Sequence, residues 1–241
     1  MYLRESFFMD WFALIPMRES SKSIEKKNLI KIFGKPMYEF TIEAALKAGA
    51  SKIFISTDIK KVLEKYKSNE KIIAFERKAH LTKDNTRMSE VVYDFLKNSK
   101  QLDSNKNNLI ALLQPTSPLR RKEDIKTALN LYKNSNEKLL MSVTKANSKV
   151  LKYGFVIDNI FCSISKKEYC FQNRQELPNV FRPNGAIYIF QSNWFIKNKD
   201  FKTNSILTYK MEKKFSYDVD SEKDLKKIRK QLKREKLIEN R

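Results

Sequence analysis

Four short polar segments, each next to an apolar run, hold the residues of this chain best suited to chemistry. The first, PMRESSKSIEKKN, gathers Arg18, Ser20, Ser21, Lys22, Lys27 and Asn28 in one loop. Spread anionic charge such as a triphosphate needs several donors at once, and hydroxyls, backbone amides and cations after a strand supply them. The two glycines and the Gly-Lys-Ser/Thr end of a Walker loop are missing, and a plain basic surface loop accounts for this segment equally well. The second, LIALLQPTSPLRR, closes an apolar run on Gln114 and sets Thr116 and Ser117 between Pro115 and Pro118. The prolines fix the backbone and pre-orient those hydroxyls and amides, although an ordinary connection capping the next helix has the same residues. In the third, RQELPNVFRPNGAIYIF, Arg174 and Arg182 lead to Asn184 and Gly185. Guanidinium pairs suit a carboxylate or phosphate, yet two arginines in a basic chain carry little alone. In the fourth, FSYDVDSEKDL, Asp218 and Asp220 are two apart on an extended segment and so face one side. Converging carboxylates in a positive protein are costly unless a cation joins them, and oxygen ligands suit Mg²⁺. The alternative is that Asp220 helps cap the final helix.

Such residues act together only if a scaffold brings the segments to one place. Apolar runs at Trp11–Pro16, Lys52–Ser56, Lys71–Phe75, Leu109–Leu113 and Leu139–Val143 predict buried strands. Helical spacing of apolar residues predicts helices over Met37–Ala48, Lys60–Tyr66, Met88–Leu96 and Asp124–Tyr132. This alternation predicts an α/β fold, a mostly parallel sheet with helices on both faces. In such a sheet the ligand lies beyond the carboxyl ends of the strands, so segments that follow strands are the natural site. From about 151 to 183 the pattern breaks into short alternating pieces such as YGFVIDNIFCSIS, which predict a small β-rich arm inserted in a single domain spanning 1–241. GAIYIF then predicts a strand, Trp194–Lys197 a short helix, and Ser221 with Asp224 the capped start of a last helix.

A chain of 241 residues with 41% hydrophobic content can bury a core, which excludes a fully disordered protein. The formal charge of +21 raises nucleic acid as a partner. The Lys and Arg residues are scattered, however, and the run from Lys223 to Lys236 has no interleaved aromatics, which fits a solvated helix face and speaks against nucleic acid. The same field favours encounter with small polyanions. Two cysteines, Cys162 and Cys170, and one histidine cannot assemble a structural zinc set, and point to a reducing cytoplasm. The opening stretch, broken by Arg4, Glu5 and Asp10, lacks the form of a signal peptide. No segment reaches the ~18 to 20 apolar residues that span a bilayer, so no membrane association is expected. His80, alone in a polar loop, fits a structural role better than that of a base.

Taken in order, the four segments resemble the acylneuraminate (CMP-sialic acid) cytidylyltransferase family. ALIPMRESSKSIEKKN is similar to the family's Ile-Pro-Ala-Arg-Gly-Gly-Ser-Lys-Gly-Ile followed by Lys-Asn, and LLQPTSPLR matches its second signature residue for residue. FRPNGAIYI and DVDSEKDL resemble its later motifs, with FISTD and FERKAHLTKDNT at the intermediate places, so the likeness runs from Ala13 to Leu225. It implies a nucleotide-diphospho-sugar-transferase-like fold, a homodimer joined through the arm, and transfer of CMP from CTP to the anomeric hydroxyl of N-acetylneuraminate or a related nine-carbon acid. By matching position, Arg18 and Lys22 would hold the triphosphate, with Ser21, Lys27 and Asn28 at the nucleotide or its pyrophosphate. Arg77 and Ser89 would bind cytidine. Gln114, Thr116 and Ser117 would line the sugar pocket, and Lys152, Arg174 and Arg182 would meet the sugar acid. Asp218 and Asp220 would carry Mg²⁺; with Arg18 and Lys22 they form the implied catalytic set. The in-line attack on the α-phosphorus needs mainly positioning and charge neutralisation. Legionaminate, pseudaminate and Kdo are alternative acids for the same reaction, and a non-catalytic basic nucleic-acid-binding protein is the alternative of a different kind.

Two segments depart from the family pattern. Glu19, Ser20 and Ser23 stand where glycines are usual, which removes free backbone and adds a carboxylate that opposes a triphosphate unless it points away. Lys78 replaces the proline that follows Arg77.

Overall fold

The computed structural model of the chain describes residues 10–21, 23–99, 102 and 106–239, the side chains of 236–239 excepted. The elements run β1 (Trp11–Pro16), β2 (Lys31–Ile32), β3 (Lys35–Pro36), α1 (Met37–Ala48), β4 (Lys52–Thr57), α2 (Lys60–Lys65), β5 (Ile72–Glu76) and α3 (Met88–Asn98). They continue with β6 (Leu109–Leu112), α4 (Lys122–Lys133), β7 (Leu139–Lys145), β8 (Gly154–Ile157), β9 (Ile160–Ser163), β10 (Phe181–Gln191), α5 (Ser192–Asn198), β11 (Ile206–Lys210) and α6 (Glu222–Glu239).

Seven strands form one sheet in the order β11-β7-β10-β6-β1-β4-β5. Every pairing is parallel except the two made by β10, which runs against β6 and β7. Alternate residues of each strand supply opposite faces, as the pleat requires. Trp11, Ala13 and Ile15 join a core with Ile53, Ile55, Ala111 and Ile189, covered by Ile42 and Ala45 of α1, Val62 of α2, Ile125 and Leu129 of α4, and Leu225 and Ile228 of α6. Leu14, Phe54, Ile110, Leu112 and Phe190 face the other way, against Val92 and Phe95 of α3 and Phe195 of α5. The mostly parallel sheet with helices on both faces is therefore the observed fold. Because both faces are covered, the strands are apolar throughout, which is why they stand out in the sequence.

Two features go beyond the expected elements. The edge strand β11 alternates exposed and half-buried residues, so ILTYK carries no apolar run. β10 begins at Phe181, four residues before GAIYIF, and its register shifts between Pro183 and Tyr188, where Gly185 has φ +74°. Only glycine takes that conformation without strain. Buried polar groups hold the bulge. The Asn184 carboxamide accepts from Ser142 Oγ at 2.5 Å and donates to Ser216 Oγ at 3.0 Å, which ties β7, β10 and the segment entering Asp218 together.

The arm is a separate two-stranded hairpin of β8 and β9. Asp158 and Asn159 turn it with φ of 49° and 64°, both positive as the tightest hairpin turn demands. A side chain at Gly154 would meet the Phe161 ring at 2.4 Å and the Cys162 carbonyl at 2.6 Å, so the crossing depends on glycine. The hairpin exposes Phe155, Val156, Ile157, Ile160 and Phe161, and Phe171 beyond it is 92% exposed.

Candidate active site

At the carboxyl edge of the sheet the connections after β1, β5 and β6 surround an open cleft. Its wall includes Arg18, Ser20, Ser21, Lys27 and Asn28 from the first loop, Arg77, Lys83, Asp84 and Thr86 from the segment after β5, and Gln114, Pro115 and Thr116 from the turn after β6. In a sheet that is parallel at its centre, these loops leave the same edge.

The first loop is held from several sides. Arg18 Nη1 donates to the Thr82 carbonyl at 3.2 Å and lies 2.7 Å from Asp84 Oδ1. Asn28 Nδ2 donates to the Arg18 carbonyl at 3.0 Å, while Asn28 Oδ1 is buried with no hydrogen-bond partner. The Glu19 N–H donates to Asp58 Oδ1 at 2.7 Å. Glu19 is exposed and is absent from the cleft wall, so its carboxylate lies outside the pocket. Among the described residues of this loop only Lys26 has positive φ, at 48°. Serine and glutamate therefore fit at 19–20 without the glycines that the family pattern has there.

Arg77 is 6% exposed; its Nε donates to Ser56 Oγ at 3.2 Å and its Nη2 to the Ser56 carbonyl at 2.8 Å. Burial pushes its guanidinium down to about 10, with Arg18 adding to the effect and Asp58 opposing it. Lys78 has φ −57°, the angle a proline would impose, so the exchange leaves the backbone path unchanged. Ser89 is buried in the first turn of α3, beside Met88 of the cleft wall.

The carboxylates come to the same region through backbone contacts. The Val219 N–H donates to the Thr116 carbonyl at 2.9 Å, which fixes the Asp218–Asp220 segment beside the turn after β6. Lys27 Nζ donates to the Val219 carbonyl at 2.9 Å and lies 3.2 Å from Asp220 Oδ1. Burial raises the Asp218 carboxyl; a hydrogen bond from Thr116 opposes this, Asp220 adds to it and Lys27 opposes it. Asp218 Oδ1 is buried without a hydrogen-bond partner. An orphaned carboxylate oxygen beside a second carboxylate fits a hard divalent cation. No cluster of three or more His, Cys, Asp or Glu side chains occurs among the described residues, so such an ion would draw its other oxygens from substrate or water, the usual habit of Mg²⁺.

Of the residues expected from the sequence, Arg18, Ser21, Lys27, Asn28, Arg77, Gln114 and Thr116 meet in the cleft. Ser117 lies beneath the turn, 1% exposed, with its hydroxyl unpartnered. Lys22 lies outside the described residues. Lys152, Arg174 and Arg182 do not join the cleft of this chain: Lys152 Nζ donates to the Gln172 carbonyl within the arm, and both arginines are exposed. Three supporting residues were not anticipated. Asp84 grips Arg18, Asp58 anchors the loop at Glu19, and Arg120 Nη1 donates to the carbonyls of Gln114 at 3.1 Å and Ala186 at 2.6 Å. Asp58 and Asp84 do stand inside the segments FISTD and FERKAHLTKDNT, the only sequence signal they give.

Comparison with known proteins bears on the family and the fold. The chain is 32% identical to an N-acylneuraminate cytidylyltransferase of Streptococcus agalactiae over 223 residues, covering 88% of this chain and 51% of that protein. It thus spans about half the length of that curated relative. It is 30% identical over 197 residues to the CMP-N,N'-diacetyllegionaminic acid synthase of Legionella pneumophila, 78% of this chain and 81% of that one. Among solved structures, a CMP:2-keto-3-deoxy-manno-octonic acid synthetase complexed with CTP superposes with a TM-score of 0.68 at 19% identity, over 94% of this chain and 99% of that one. Residues 12–239 match the family described as cytidylyltransferase, and the chain belongs to that family.

Proposed function

We propose that the cleft transfers CMP from CTP to the anomeric hydroxyl of N-acetylneuraminate or a related nine-carbon sugar acid, with release of pyrophosphate. The observation that carries this reading is the convergence, at one sheet edge, of a cationic loop with a pair of carboxylates, one of which keeps an orphaned oxygen. Arg18, Ser21, Lys22, Lys27 and Asn28 bind the triphosphate, and Arg77 and Ser89 close the cytidine side. Gln114 and Thr116 orient the sugar, with Ser117 beneath them in the same turn. Asp218 and Asp220 would hold Mg²⁺, and that ion would supply charge stabilisation at the α-phosphate and acidify the attacking hydroxyl. Lys27, already beside Asp220, offsets the charge that develops on the departing pyrophosphate. No covalent enzyme intermediate is required. These groups position two anionic reactants and neutralise their charge, which is most of what phosphoryl transfer asks of a protein.

The exposed apolar hairpin supports a homodimer, since a patch of that kind usually marks an interaction site. In that assembly the arm, expected over about 151–183 of a single 1–241 domain but ending before β10 takes up Phe181–Pro183, carries Lys152 and Arg174 to the sugar acid in the neighbouring cleft, and Arg182 joins them from the start of β10. Both described cysteines are free thiols, which suits a reducing cytoplasm. No helix among the described residues is long and apolar enough to cross a membrane.

The test is to incubate the chain with CTP, Mg²⁺ and, separately, N-acetylneuraminate, legionaminate, pseudaminate and Kdo, and to follow pyrophosphate. Release is expected, fastest with N-acetylneuraminate, and Asp218→Ala abolishes it. Fastest release with another acid reassigns the substrate within the same reaction. No release with any acid, together with strongly salt-dependent binding to DNA, would overturn the transferase reading in favour of a nucleic-acid-binding protein.

A further inference from the structure

Arg18 is the first cation of the nucleotide loop, yet no described residue of its own loop fixes its guanidinium. What fixes it comes from the segment after β5: the Thr82 carbonyl at 3.2 Å and Asp84 Oδ1 at 2.7 Å, both on the same nitrogen, Nη1. We propose that Asp84 is the positioning residue that holds Arg18 ready for the phosphate chain, so that the loops after β1 and β5 close on the nucleotide as one unit. This rests on the reading of the cleft as a CTP site.

The geometry favours support over obstruction. Two acceptors on one nitrogen leave Nε and Nη2 of Arg18 for an anion, so the ion pair can persist when phosphate binds. A guanidinium keeps its donors in a rigid plane, so fixing one nitrogen orients the others. Arg18 and Asp84 both belong to the cleft wall, and the pair spans two loops that share no strand pairing of their own. Asp58, in the connection between β4 and α2, also holds the Glu19 N–H and acts electrostatically on Arg77 at the start of the β5 connection.

The sign of the effect separates this role from a plain field effect. Removing a carboxylate beside an anion site makes the local potential more positive and by itself tightens phosphate binding. Weaker binding after Asp84→Asn therefore reports lost positioning.

The experiment uses the full chain with Asp84→Asn, Arg18→Ala and the double variant, each checked for an unchanged melting temperature. CTP and inorganic tripolyphosphate binding are measured by calorimetry, and KM and kcat for CTP by pyrophosphate release. Asp84→Asn is expected to weaken CTP and tripolyphosphate binding about three- to tenfold and to raise KM for CTP similarly, with kcat within about threefold. In the Arg18→Ala background the same change should weaken binding no further, because the two side chains act as a pair. Unchanged or tighter binding after Asp84→Asn overturns the proposal, and so does an undiminished effect once Arg18 is gone. If the unaltered chain binds neither CTP nor tripolyphosphate, the nucleotide reading itself fails and this inference falls with it. That outcome is distinct from one in which the unaltered chain binds and the variant binds as well.

Discussion

At the scale of single residues the site is built around charges whose partners fix their use. Lys27 sits between the Val219 carbonyl and Asp220, while Asp218 keeps an oxygen without a partner. Glu19 is the residue that sets this loop apart from its family pattern, and its side chain lies outside the cleft with its N–H held by Asp58. Glu19→Gln should therefore leave KM for CTP within about twofold of the parent, since an exposed charge near a polyanion is largely screened. Steady-state kinetics at ~0.15 M salt provide the check, and a tenfold fall in KM would place the carboxylate against the phosphates after all. The sequence made Arg18, Lys27, Asn28, Gln114 and the two aspartates legible because their types and order match a pattern. It concealed Asp58 and Asp84, because a carboxylate's partner is set by which loops the fold brings together. In one dimension Asp84 is one more charge in a polar loop.

At the scale of elements the buried, two-face-covered strands were readable, and the helices with strong apolar spacing start or end within a residue or two of expectation. Half-exposed β11 and the bulged start of β10 were not, since β11 alternates but has no apolar run and the start of β10 is interrupted by its bulge. β10 matters because within the seven-stranded sheet it is the strand that runs against its neighbours, and Arg120 clamps it to the site. Arg120 is 3% exposed, and its Nη1 bridges the Gln114 carbonyl of the turn after β6 to the Ala186 carbonyl of β10. Hydrogen bonds to a charged donor contribute about 1.5–3 kcal/mol each, against a desolvation cost for the charge of several kcal/mol. Replacing the group thus removes a large gain and a large penalty together. Arg120→Met should lower stability by only about 1–3 kcal/mol in urea denaturation, while KM for the sugar acid rises and KM for CTP stays put, because the Gln114–Ser117 turn loses its anchor. A parallel rise in both KM values would show that Arg120 supports the whole cleft and not that turn.

At the scale of the molecule the contrast is between a cleft lined on one chain and three cations, proposed to meet the sugar acid, that stand outside that cleft. Lys152 and Arg174 belong to the arm segment and Arg182 to the start of β10, where it pairs with Thr144 of β7, and none of the three is part of the cleft wall of its own chain. If the arm serves the neighbouring cleft, arm and cleft defects complement each other. Arg174→Ala abolishes the arm's contribution and leaves its own cleft sound; Asp218→Ala does the reverse. Mixed and reassembled in equal amounts, the two inactive variants form about half heterodimers by random pairing, and each heterodimer has one cleft that is intact and served by an intact arm. Activity should recover to about one quarter of the parent at equal total protein, since half the dimers carry one working site of two. If each arm serves its own cleft, both defects of a heterodimer remain and the mixture stays inactive. The recovered rate should also fall on dilution below the dimer dissociation constant, as obligatory association requires. A monomeric chain by sedimentation, turning over at full rate, would sink the arm-exchange reading and leave the apolar hairpin to some other partner. The charge of +21 bears on the same experiment, because like-charged chains repel and the dimer must be held by the apolar surface of the hairpin. Added salt screens that repulsion, so raising NaCl to ~0.3 M should strengthen association while slowing CTP capture, two opposite trends that one titration of rate against protein concentration can separate.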